Sequence, residues 1–105
     1  TKSALDNEDG ETETEIKTDT EITLSCYPNP FTSDLNISYT VPEEGSVLIQ
    51  IYDFTGRAIS RVVDEKQAAG SYNVAWNADE RMTNGIYFCR IVINGYSKTA
   101  KIIML

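Results

Sequence analysis

From Ile22 onward, apolar and polar residues alternate with a period of two. Ile22, Leu24 and Cys26 alternate with Thr23 and Ser25, and Leu35, Ile37 and Tyr39 alternate with Asn36 and Ser38. Val47, Ile49 and Ile51 form a third set, with Gln50 facing the other way. Tyr72, Val74 and Trp76 form another, and so do Tyr87, Cys89, Ile91 and Ile93. In an extended chain successive side chains point to opposite faces, so each set is expected to be the inner face of a strand. Ala58 to Asp64 alternates more weakly and predicts a strand whose register the sequence sets loosely. A final run leads from Tyr96 to Leu105. No window sustains a helical period, although residues 79–83 have room for one helical turn.

Turn residues separate these runs. Pro28-Asn29-Pro30 should end the first strand, because neither proline has an N–H to give to a ladder. Pro42-Glu43-Glu44-Gly45, Thr55-Gly56 and Ala69-Gly70 mark further turns, and residues 77–84 form a polar connection. Asn94-Gly95 joins the last two runs, and Asn-Gly between β-rich segments is the strongest short hairpin signal because both residues tolerate positive φ. Seven short strands with turns roughly every 8–12 residues predict an all-β fold of two packed antiparallel sheets over residues 22–105. Trp76 and the inward tyrosines are expected to supply much of its apolar area. The last run is apolar to its final residue, where most chains fray. That predicts a terminal module read by other machinery, and the absence of a starting Met predicts a piece of something longer.

Charge divides the chain at the same place. Residues 1–21 carry eight acids against Lys2 and Lys17, whereas residues 22–105 carry eight acids against seven bases. Most of the formal net charge of −7 therefore belongs to the first segment. Glu11-Thr-Glu-Thr-Glu15 is of low complexity, and such a segment buries too little apolar area to offset its ordering entropy. Residues 1–21 are expected to be a disordered acidic linker. A calcium loop at Asp6-Asn7-Glu8-Asp9-Gly10 would need a bidentate Glu at the right distance and a following helix, which the sequence lacks. A net acidic chain is a poor partner for nucleic-acid phosphates or an anionic membrane surface. No apolar stretch approaches the ~20 residues of a membrane helix.

The chemistry of catalysis is thin. There is no histidine, so the commonest general base, the Ser-His and Cys-His systems and the commonest zinc ligand are all missing. The acids Asp34, Glu43, Glu44, Asp64, Glu65, Asp79 and Glu80 fall mainly at turns, while Asp53 shares the parity of Ile51 and predicts a strand end near water. No glycine-rich phosphate loop is present. The chain is expected not to be an enzyme and to need no cofactor or metal. Cys26 and Cys89 are the only cysteines, and both have inward parity. Two readings stay open for them: an inter-sheet bridge, or two buried thiols acting as small hydrophobes.

In chain order the sequence shows Tyr27-Pro-Asn-Pro-Phe31, a strand ending Tyr52-Asp53, Gly56-Arg57, Ala69-Gly-Ser-Tyr-Asn-Val-Ala-Trp76, Asn84-Gly-Ile-Tyr-Phe88 and Lys101-Ile-Ile103. This ordered series resembles the C-terminal sorting domains of the type IX (Por) secretion system, and within them the type A class, over essentially all of residues 25–105. The resemblance implies a seven-stranded antiparallel immunoglobulin-like β-sandwich at the end of secreted cargo of Bacteroidota. It implies export through the periplasm and across the outer membrane, to the cell surface or the medium. The implied partners are the outer-membrane translocon, its shuttle proteins, a covalently preceding cargo domain, and a sortase-like peptidase. That peptidase would cut in residues 1–21 and link the cargo to surface lipopolysaccharide. Carried over by position, the sorting motif is Pro28, Pro30, Gly56, Gly70, Tyr72, Gly85, Tyr87, Lys101, Ile102 and Ile103. The two cysteines are not part of that pattern.

A terminal strand at a sheet edge would expose backbone groups to a partner strand. Lys98 and Lys101 would keep that edge soluble and turn positive charge toward a receptor, and exposed edges also make a strand-exchanged homodimer possible. Two other readings compete. One is a stand-alone immunoglobulin- or fibronectin-like module for carbohydrate or protein, which gains weight if Tyr52, Phe54 and Phe88 form one exposed patch. The other is the related sandwich of flagellar hook-capping proteins, which is internal to its chain.

Overall fold

The computed structural model describes residues 22–105. The linker assigned to residues 1–21, and any peptidase cleavage within it, lie outside the described residues. Seven strands follow one another: β1 (Leu24–Tyr27), β2 (Asp34–Val41), β3 (Gly45–Asp53), β4 (Ala58–Gln67), β5 (Gly70–Asn77), β6 (Gly85–Ile93) and β7 (Tyr96–Met104). They form two antiparallel sheets, β1-β2-β5 and β4-β3-β6-β7. The fourth strand pairs with the third. It therefore sits in the larger sheet, not with the first, second and fifth as in constant-type immunoglobulin domains.

The alternation seen in the sequence is the pleat of these strands. Leu35, Ile37, Tyr39 and Val41 from one sheet meet Val47, Ile49, Ile51, Cys89, Ile91 and Ile102 from the other, all buried. Ile22 precedes β1 yet is buried as well, and the Thr23–Thr40 hydrogen bonds hold it there. The centre is mainly aliphatic. Trp76 and Tyr72 are half-buried at the margin, and Trp76 packs edge-on against Phe31 with ring centroids 6.2 Å apart. Tyr39 and Tyr87 are buried with the aliphatic residues and Tyr72 and Trp76 pack against them, while isoleucine and valine, β-branched and stiff, fill the centre of the pleated interior.

Three further differences have local causes. The strand predicted over Ala58 to Asp64 continues to Gln67. Its added residues, Glu65, Lys66 and Gln67, are polar because β4 is an edge strand, where charge deters pairing with another chain. Register shifts against β3 blur its alternation further. Residues 79–83 hold a β-turn, with Met82 N–H donating to Asp79 O at 2.9 Å, not a helical turn. The Asp79 carboxylate binds the Arg81 N–H at 2.8 Å and its guanidinium at 2.7 Å, which favours the turn. The Asn94-Gly95 hairpin forms as expected, with φ of 50° and 87°.

Candidate functional site

The register gathers most of the motif residues at one end of the sandwich. Asp53 lies opposite Tyr87, and Tyr87 lies opposite Ile102. Gly85 faces Met104 and Ile86 faces Ile103. The β3–β4 turn carrying Gly56, the start of β6 and the end of β7 are therefore neighbours. The segment Pro28–Phe31 joins them from the other sheet. Gly70 pairs with Val41 and Tyr72 with Tyr39, so these two lie at the opposite end, while Lys98 sits midway opposite Ile91.

The segment after β1 is more than a strand terminator. Phe31 makes a parallel bridge to Met104. Its N–H donates to Ile103 O at 2.9 Å, and its own carbonyl accepts from Leu105 N–H at 2.8 Å. Beside it the Asn29 side chain donates to Lys101 O at 3.0 Å and accepts from Ile103 N–H at 3.0 Å. The Phe31 ring is buried. Asn29 thus satisfies a donor and an acceptor of the terminal strand with one amide. It belongs to the site although no motif residue assigned from the sequence includes it. Its only sequence signal is its place between two prolines, which leave the side chain as the segment's main donor.

This changes the picture of the edge. β7 is the outer strand of its sheet, as expected. Its last third is not open, because residues 29–31 cover the backbone of residues 101–105. By alternation, the outward backbone groups of Ser97 and Thr99 are the part left without a strand partner among the described residues. The two lysines also differ. Lys101 is exposed on the outer face, whereas Lys98 shares the inward face of Ile102 and is only half-exposed. An inward-pointing charge on an edge strand is a recognised barrier to unwanted pairing.

Two of the motifs share one device. In Gly70-Ser-Tyr72 the tyrosine hydroxyl donates to Ala68 O at 2.6 Å, and in Gly85-Ile-Tyr87 it donates to Thr83 O at 2.7 Å. Each bond reaches back four residues, as in a tyrosine corner. The glycine two residues earlier has φ of 153° and 147° respectively, a region that favours glycine. These motifs shape the loops that enter β5 and β6. Gly56 serves the third loop, where Asp53 accepts from Thr55 N–H at 2.9 Å and Arg57 N–H at 3.1 Å. The Thr55 hydroxyl, then the backbone donors and Arg57, hold the Asp53 carboxyl below the usual carboxylate range.

Between the β3–β4 turn and residues 77–83 lies a cleft of about 660 Å³, lined by Asp53, Arg57, Ser60, Trp76, Arg81 and Tyr87 among others. Several of its polar side chains are paired within the domain. Trp76 donates to Ser60 at 3.0 Å, Arg81 pairs with Asp79, and Tyr87 bonds Thr83. No group of described residues has the ligand set to hold a metal ion. No helix among them is long and apolar enough to cross a membrane.

On the outer face of the larger sheet, Tyr52 and Phe88 are direct cross-strand neighbours. Phe88 stands opposite Lys101, and Ile86 opposite Ile103. Phe54 lies just past the end of β3 and is 77% exposed. The aromatic patch anticipated from Tyr52, Phe54 and Phe88 therefore has its first and third members side by side, with the second beyond the strand end. The apolar and cationic outer face at Ile86, Phe88, Lys101 and Ile103 adjoins the Asn29 clamp, so the end of the sandwich presents one composite surface.

Cys26 and Cys89 are both free thiols. They come from different sheets, β1 and β6, and both belong to the one core cluster between them. Compared as a whole, residues 25–105 match a family described as "Secretion system C-terminal sorting domain". No curated protein and no solved structure matches the chain.

Proposed function

Since this chain belongs to the family of secretion-system C-terminal sorting domains, the tails of the type IX system, we propose that it is the address label of an exported cargo. Membership implies dealings with the secretion machinery and export through the outer membrane, to the surface or the medium. Our reading adds the finer steps. The cargo precedes Ile22, a peptidase cuts within residues 1–21, and the released cargo is attached to the cell surface. The translocon and its shuttle proteins engage the folded domain, which acts as a signal and not as a catalyst. The observation that carries this is the match over residues 25–105, which spans every strand of the fold but the first residue of β1.

The surface proposed to be read is the end formed by Asn29, Ile86, Phe88, Lys101 and Ile103. It combines the two most separated motifs of the chain in one exposed place, while Gly56, Gly85 and Tyr87 build the loops behind it and Gly70 and Tyr72 shape a loop at the opposite end. The test is a reporter with an export leader fused ahead of residues 1–105, in a host that has the system. The expected result is reporter at the surface or in the medium, with a new end inside residues 1–21. A folded fusion retained in the periplasm, or equal delivery of a reporter without the tail, would overturn the proposal. A second reading, a module for carbohydrate or protein, is favoured only by the Tyr52–Phe88 patch. It predicts binding by the isolated domain with no effect on delivery.

A further inference from the structure

Cys26 and Cys89 play no part in the sorting motifs, yet they are placed as a pair. Cys26 belongs to the three-stranded sheet, where it lies opposite Ile37. Cys89 belongs to the four-stranded sheet, between Ile51 and Ala100 of its neighbours. Both side chains belong to the one core cluster between the sheets, near enough for each thiol to shift the other. Cys89 is 0% exposed, while Cys26 is half-buried at the margin of the core. A pair of this kind has one sulfur that solvent species can reach and a second that can reach only the first.

The position of Cys26 gives the pair a mechanical meaning. β1 is the shortest strand, with four residues. It lies at a sheet edge, and β2 is its one ladder partner among the described strands. It receives the chain from residues 1–21 and leads directly into the Asn29–Phe31 clamp. A pull from the preceding chain would load β1 first, and the cover over the terminal strand next. A covalent tie at Cys26 would hold both to β6 in the opposite sheet.

We propose that Cys26 and Cys89 are an inter-sheet disulfide site, closed when the folded domain meets a disulfide-bearing oxidant, so that β1 is locked to β6. The chemistry balances with that oxidant alone. The Cys26 thiolate attacks one sulfur of the oxidant, breaks its S–S bond and expels a thiolate, leaving a mixed disulfide. Cys89 then loses its proton and attacks the Cys26 sulfur, expelling the second thiolate. The domain gives up two electrons and two protons, and the oxidant becomes two thiols. The order follows from access, since Cys26 is half-buried and Cys89 fully buried; the neighbouring Cys26 side chain, then burial, also pushes the Cys89 thiol up, whereas Cys89 draws that of Cys26 down. The site does not depend on the sorting role, only on an oxidising compartment.

The test uses the whole chain, reduced and then held under native conditions with oxidised glutathione. The expected product is a monomer lighter by two hydrogens, with neither thiol open to alkylation after denaturation. Its thermal midpoint should exceed that of the reduced chain by roughly 10 °C, and the Cys26→Ala/Cys89→Ala double variant should show no such redox dependence. Cys89→Ser should stop at a glutathione adduct on Cys26, and Cys26→Ser should leave Cys89 unmodified. Reduced thiols or a lasting Cys26 adduct in the unaltered chain would overturn the proposal. So would bridges formed only between chains, or a bridged monomer that had lost its native fold. Because none of these readouts involves secretion, failure here leaves the sorting proposal standing, and the reverse also holds.

Discussion

Asn29 shows how much one side chain can decide. Replacing it with Ala removes a donor to Lys101 O and an acceptor for Ile103 N–H, at an expected cost of about 1–2 kcal/mol. The loss should appear in hydrogen exchange first at the Ile103 amide, with little change in β2 or β5. Asn29→Asp should fall between the two, since it keeps the acceptor and loses the donor. Tyr87→Phe removes a bond to Thr83 O and should cost about 1 kcal/mol in chemical denaturation. Acid acts on the same scale. The Arg81 side chain, then its backbone N–H, lowers the Asp79 carboxyl from 3.8 to about 2. A depressed folded pKa stabilises above the unfolded value and is lost as pH falls through the folded one. The Asp79–Arg81 turn should therefore hold above about pH 3.8 and loosen toward pH 2, as a carboxyl NMR titration would show. None of the Asn29 role was legible in the sequence, because its partners lie 72 and 74 residues away. Nothing local distinguishes an Asn that clamps a distant strand from one that fills a turn. The tyrosines were easier, because a Gly two residues before an inward Tyr at a strand start has a local use.

At the scale of elements, the strands that bury an alternating face were legible and the ones at edges were less so. β2, β3 and β6 have neighbours on both sides and a clean inner row. β4 has one neighbour, register shifts and a polar end, so its last three residues read as loop. β7 was placed correctly at an edge, but its cover by residues 29–31 was not foreseen. That contact is parallel and non-local, and Pro28 and Pro30 speak only of what cannot continue. The same strand shows why a motif written as consecutive letters hides opposite tasks. Ile102 is 0% exposed and faces the core, while Ile103 is half-exposed on the outer face. Ile102→Ala should cost about 3 kcal/mol through the cavity it leaves. Ile103→Ser should cost about 1 kcal/mol or less. Denaturant midpoints of the two purified domains would check the ordering. The reverse order would mean that the outer face is packed against something other than solvent.

For the whole molecule, these two neighbours separate a signal read from the strand from one that needs only the fold. Deleting residues 101–105 cannot do so. It removes Ile102 from the core and the partner of Phe31 together, so loss of delivery would follow from unfolding alone. Surface changes that spare the core are the informative ones. Lys101 is exposed, opposite Phe88, and its ammonium is in no ion pair with a described residue. Lys101→Glu reverses one charge on a folded part whose acids and bases nearly balance, and should leave stability within about 0.5 kcal/mol. If the machinery reads the composite end, Lys101→Glu and Ile103→Ser should each strand a folded reporter in the periplasm. A like charge placed against a complementary surface and an apolar contact removed from its centre both weaken docking. Gln50→Glu, on the same outer face nearer its middle, opposite Arg90, should not do so and serves as the matched control. If all three variants are delivered like the unaltered tail, while Ile102→Ala is not, the machinery asks only that the sandwich be complete. The terminal strand would then matter as its last stave and not as a message.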